Sequence, residues 1–205
     1  MKITQKILIL AITGLFIAMT IFCNQKPEKE SDSFEPVSNA PIITPYSFKS
    51  KEAKQLSNKA FNQKKIGQYN RAIELYKKAI RIEPDNPQLF FDMAECYARN
   101  NNLIVAVQQL NTAITLDSQY APFYSNRGLL NYKLSNDQAA MNDYKKAIEL
   151  DPKNYVFHAN LAALYYSSNN NIDACAEFKI AILLGMRLDN LEGQPEIEKL
   201  KYLCK

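Results

Sequence analysis

The chain has 205 residues, yet only one histidine, five glycines and four cysteines, and its charges nearly balance. Each scarcity removes a class of chemistry. His158 sits among structural positions, so acid–base or nucleophilic catalysis has no partner set to converge on. The few glycines form neither a phosphate-cradling loop nor a nucleophile elbow. Cys23, Cys96, Cys175 and Cys204 include no Cys-x-x-Cys pair, so no metal site is expected. Lysine and arginine number 25 against 21 acidic residues, and 23 once Lys2 and Lys6 are set aside. With no basic block and no aromatic–basic stripe, nucleic acid is not an expected partner. Asp143 and Glu177 read as ordinary surface charge. The expectation is a non-enzyme without cofactors.

What the chain does have is a period. Ala-Ile recurs at a spacing of 34 residues, as Ala79-Ile80, Ala113-Ile114, Ala147-Ile148 and Ala181-Ile182. Small residues keep the same register at Ala60, Ala94, Gly128 and Ala162, and at Ala72, Ala106, Ala140 and Ala174. Large apolar residues do so at Tyr76, Leu110, Tyr144 and Phe178. A fixed period of this size marks a solenoid whose units bury their apolar faces against neighbours. Within a unit, Ala72, Ile73, Tyr76, Ala79 and Ile80 trace one helix face. Breaks at 65–68, 100–102, 135–137 and 169–171 hold Gly or Asn, residues that tolerate a left-handed backbone past a helix end. Each unit is therefore expected to be a helix hairpin. Ala60 and Ala72 should face each other where the two helix backbones approach most closely.

These positions resemble the tetratricopeptide repeat family. Its small residue at repeat position 8, Gly or Asn near 15, Tyr at 17, Ala at 20, aromatic at 24, Ala at 27 and Pro at 32 appear here as Ala60, Gly67, Tyr69, Ala72, Tyr76, Ala79 and Pro84. The resemblance implies an all-α fold, a right-handed superhelical solenoid with repeats at 53–86, 87–120, 121–154 and 155–188. Residues 189–205 would form a C-terminal capping helix, with Pro195 opening it and Ile197, Leu200 and Leu203 as its apolar stripe.

The N-terminus reads differently. Lys2 and Lys6 precede an apolar run of 16 residues, Ile7 to Phe22, followed by Cys23. A basic start and a short apolar core describe a secretory signal over residues 1–22. Cys23 before Asn24-Gln25-Lys26 resembles the lipid-modified cysteine of bacterial lipoproteins, although Phe22 is bulkier than that family prefers. An uncleaved anchor and a cleaved soluble protein are the alternatives. Residues 23–49 carry four prolines among polar residues and read as a flexible tether before a repeat domain at 50–205. The expected location is exported, membrane-anchored on the cell envelope. In such a compartment Cys175 and Cys204 are either disulfide-bonded or free, and Cys96 is a buried, inert thiol.

In the resembling family the first helix of each repeat lines a concave groove that holds a polypeptide segment. Carried onto this chain, that groove comprises Asn58, Phe61, Lys65, Phe91, Asp92, Arg99, Asn126, Leu129, Tyr132, Lys133, Asn160 and Tyr166. Asparagine amides can hydrogen-bond an extended backbone, and the basic edge favours a mildly acidic partner. Some members clamp a C-terminal carboxylate with Lys and Asn at positions 5 and 9. Here those positions are Ser57 and Phe61, so tail clamping is not expected. The function implied is a protein–protein interaction scaffold of a bacterial cell envelope. A non-catalytic subunit of a cell-wall or polysaccharide complex, and a self-associating tether, are the competing readings.

Overall fold

The computed structural model describes residues 46–188 and 195–204. Among them, eight helices pair into four successive hairpins: α1 (Lys51–Lys65) with α2 (Tyr69–Ile82), and α3 (Pro87–Arg99) with α4 (Leu103–Leu116). The third and fourth are α5 (Ala121–Lys133) with α6 (Asp137–Leu150), and α7 (Tyr155–Ser167) with α8 (Asn171–Leu183). A ninth helix, α9 (Pro195–Leu203), closes the series.

Within every hairpin the turn is built the same way. Gly67, Asn101, Ser135 and Asn169 all adopt positive φ, between 60° and 75°. The residue after each donates its N–H back to the last turn: Gln68 to Gln63, Asn102 to Tyr97, Asn136 to Asn131 and Asn170 to Tyr165, at 2.8–2.9 Å. This left-handed closure satisfies carbonyls that a helix end would otherwise strand. Between hairpins, Asn86 and Asn154 begin the next helix by accepting from the N–H groups of Gln88 and Val156. Pro87 then takes the first helical position, where its missing N–H costs nothing.

The small residues meet the expectation made of them. Ala60, Ala72, Ala106, Ala140 and Ala174 are fully buried. A β-carbon on Gly128 would come within 2.9 Å of the Tyr144 ring and 3.2 Å of the Ala140 carbonyl oxygen. Tyr76 and Tyr144 fill the space beside these small residues. At the far end, Ile197 and Leu200 of α9 are fully buried, and α9 packs on both α7 and α8. Cys175 and Cys204 are disulfide-bonded, with Cα atoms 5.3 Å apart, which ties the end of α9 to α8. Among the described residues no helix is long and apolar enough to cross a membrane. The apolar run 7–22 and Cys23 lie outside the described residues.

Two expectations need correcting here. Residues 46–49, assigned to the flexible tether, are held against the repeats. Tyr46 stacks on Phe123 and bonds Asp117, and Lys49 pairs with Asp85. Proline content alone gave no sign of these contacts. Asp143 and Glu177 are not plain surface charges either. Asp143 is buried, holding Arg127 and Asn131, while half-buried Glu177 lies 2.7 Å from Nδ1 of His158.

Candidate functional site

The first helices α1, α3, α5 and α7 present the groove positions, but the structure divides them. Asn58, Phe61, Lys65, Arg99 and Lys133 are exposed, and Asp92, Asn126, Tyr132 and Tyr166 are half-buried. Phe91, Leu129 and Asn160 are buried at 4%, 6% and 3% exposure. These three do not present open contact surface. Phe91 has a packing reason: its ring meets Phe123 at 5.4 Å, in a cluster with Ala94, Ala106 and Leu110. Asn160 donates to Ser125 Oγ at 3.4 Å, on a helix packed by α5, α6, α8 and α9.

Open surface concentrates on α1. Phe61 is 47% exposed although large and apolar. The ammonium groups of Lys64 and Lys65 lie 5.1 and 5.8 Å from its ring centre, so the aromatic face is bracketed by cations. Lys64 also crosses to α3, reaching Glu95 at 2.7 Å and Asp92 at 3.6 Å. Burial disfavours its charge, but those two carboxylates outweigh burial and raise its pKa. On α3, Glu95 also accepts from Arg99 at 3.3 Å. The α1–α3 side of the groove is thus an alternating charge network around one exposed ring.

On α5 and α7 the expected groove residues are mostly neutral, Lys133 being the charged one among them. Asn126 donates its amide to Pro122 O at 2.8 Å, which leaves the amide of this expected backbone reader committed to its own helix. Two buried acceptors on groove positions have no hydrogen-bond donor: Gln88 Oε1 and Asn160 Oδ1. Sequence reading did not mark Gln88, because glutamine on a helix looks like surface until its burial is known.

His158 is packed, with Nε2 3.1 Å from Pro152 O and Nδ1 on Glu177. It is held between Glu177 of α8 and the loop before α7. Cys96 is fully buried, and burial pushes its thiol up to about 12. No group of three or more metal-ligating side chains gathers among the described residues.

Comparison with known proteins gives the repeats their relatives. The TPR repeat profile matches residues 64–101, and two Tetratricopeptide repeat profiles match 121–154 and 143–176. Human RNA polymerase II-associated protein 3 is 35% identical over 123 residues, 60% of this chain but 17% of that protein. The Aspergillus fumigatus heat-shock protein cognate co-chaperone sgt12 is 29% identical over 132 residues, 60% of this chain and 36% of that protein. The chain therefore spans a minor part of either relative.

Among solved structures, the first TPR of Spaghetti (RPAP3) bound to the HSP90 peptide SRMEEVD is 31% identical. It covers 58% of this chain and 95% of that one, with a TM-score of 0.56. MamA of Desulfovibrio magneticus shares the fold at 14% identity and a TM-score of 0.64, over 75% of this chain and 85% of its own. With a whole solved domain matched at 31% identity and the 34-residue register unbroken through four hairpins, the chain belongs to the tetratricopeptide repeat family.

Proposed function

We propose that this protein is an exported, lipid-anchored interaction scaffold of a bacterial cell envelope, and that its repeats capture a mildly acidic polypeptide segment on the concave face. A protein-binding repeat scaffold is the general part of this reading. The partner's character rests on one observation, the exposed Phe61 ring bracketed by Lys64 and Lys65. Lys64 is already paired with Glu95 and Asp92, so an exposed ring beside exposed Lys65 favours a segment that places an apolar side chain on the ring and a carboxylate beside Lys65. The related RPAP3 domain holds a peptide with two glutamates and an aspartate, which supports acidic ligands for this fold. Ser57 and Phe61 stand where a carboxylate clamp would need Lys and Asn, so the segment is read internally and not by its C-terminus.

Export is supported by the Cys175–Cys204 bond, because structural disulfides persist in oxidising compartments. Attachment through Cys23 rests on the sequence before and after it.

The test is a photo-crosslinking residue in place of Asn58, exposed on the same helix, in living cells, with captured species identified by mass spectrometry. One dominant envelope protein is expected, joined through an acidic segment and lost when Phe61→Ala and Lys65→Ala are combined. Capture of nothing, of the protein itself, or of a partner indifferent to that double substitution would sink the reading. Anchoring is tested separately, by whether Cys23→Ser releases the protein from the membrane fraction.

A further inference from the structure

The residues entering α1 run backward along the solenoid. Tyr46 lies at the start of the third repeat: its ring stacks on Phe123 at 6.1 Å and meets Tyr120 edge-on at 5.6 Å. Its hydroxyl donates to Asp117 in the loop before α5. Phe48 packs on the first core cluster with Ala60, Tyr76 and Leu89. Lys49 pairs with Asp85 in the loop before α3, and the Ser50 N–H donates to Glu83 Oε1 at 2.5 Å. The Ser50 hydroxyl then accepts from Ala53 N–H and caps α1.

In a solenoid each repeat contacts only its neighbours, so its curvature is the sum of independent junctions. The five residues 46–50 break that rule, because they join the first repeat directly to α5 of the third. We propose that Tyr46–Ser50 is a strap that fixes the angle through which the first three repeats turn, so that releasing Tyr46 frees the concave face to open. The two ends of the strap differ in strength. Lys49 and Asp85 are both largely exposed, so their pair is screened and weak. Glu83 is buried and also takes the Asn86 amide, so the Ser50 end stays in place. The aromatic end, Tyr46 on Phe123, decides whether the strap holds. Its effect on partner affinity rests on the concave face being the binding surface; its effect on shape does not.

The strap is tested on the full-length protein without any ligand. Spin labels are placed through click-reactive residues at Lys59 on α1 and Ala139 on α6, both exposed, leaving the native cysteines untouched. The distance distribution is then read by double electron–electron resonance. A single narrow distribution is expected for the native chain. Tyr46→Ala should shift its mean and broaden it while helical circular dichroism is retained. An unchanged distribution overturns the strap. Should Tyr46→Ala lose helix, Tyr46→Leu decides alone. It keeps an apolar side chain over Phe123 while removing both the ring stack and the bond to Asp117. A distribution broader than the native one supports the strap, and a native width overturns it.

Discussion

Arg127 on α5 grips Asp143 on α6 twice, with Nε 3.0 Å from Oδ2 and Nη2 2.6 Å from Oδ1. Asn131 adds a third donor to the same carboxylate at 3.0 Å, and Arg127 reaches back to Asn111 of the second repeat at 2.7 Å. The network therefore spans two repeats through one buried charge. Removing the carboxylate leaves a partly buried guanidinium without its counter-charge. Asp143→Ala is expected to destabilise the domain by about 3 kcal/mol in urea unfolding. Replacing both charges, as Arg127→Met with Asp143→Leu, should cost less than either single change, because neither charge is then stranded. A double variant worse than both singles would mean that packing, not charge pairing, sets the cost.

Gly128 tests how tightly the third hairpin is closed. Replacing glycine by alanine in a helix interior ordinarily gains about 1 kcal/mol. Here the new methyl meets the Tyr144 ring, which is itself buried, and the Ala140 carbonyl behind it. Overpacking of this kind costs about 1–3 kcal/mol. Gly128→Ala should therefore be neutral to destabilising, and a rise in thermal midpoint would show that the hairpin opens without strain.

The period carried most of the fold, because position in the register dictates side-chain size wherever two helix backbones meet. Ala60, Ala72 and Gly128 were legible for that reason, and so were the turns at Asn101, Ser135 and Asn169. The groove was less legible. Register places Phe91 and Asn160 on a concave helix, but whether they stay open depends on what neighbouring chain packs beside them. The ring of Phe123 buries against Phe91, and α7 is enclosed on several sides. Tyr46 was missed because a segment with no periodic pattern gives no sign of where it docks. The roles of Asp143 and Glu177 needed a partner each, Arg127 and His158, on the other helix of the hairpin.

The capping helix should depend on its disulfide. A nine-residue helix is too short to persist by itself, and α9 buries only Ile197 and Leu200. Cross-linking a loop with a sequence separation of 29 contributes about 3–4 kcal/mol in the chain-entropy model. In Cys204→Ser, amide exchange across 195–203 should accelerate more than about a hundredfold, with the first three hairpins unaffected. Native exchange rates in α9 would show that packing alone holds the cap.

Cys96 should behave as a core residue and not as a reagent-accessible thiol. Burial shields its sulfur from reagent and pushes its thiol up to about 12, so the reactive thiolate is scarce at pH 8. Mass-mapped labelling with a thiol-reactive disulfide should leave Cys96 unmodified in the native protein and modify it fully in denaturant. Native-state labelling would mean that α3 opens locally.

Phe61 and Phe91 separate binding from stability on the same face. Both occupy groove positions by register, yet one is 47% exposed and the other 4%. Phe91→Ala removes a ring packed on Phe123 and should cost about 3–5 kcal/mol of stability. Phe61→Ala removes an exposed ring and should change stability by no more than about 0.5 kcal/mol. If the concave face reads a polypeptide through the cation-bracketed ring, Phe61→Ala instead loses the partner in a pull-down while its melting curve stays native. Loss of both together would place Phe61 in the fold's support, and loss of neither would move the binding surface away from α1.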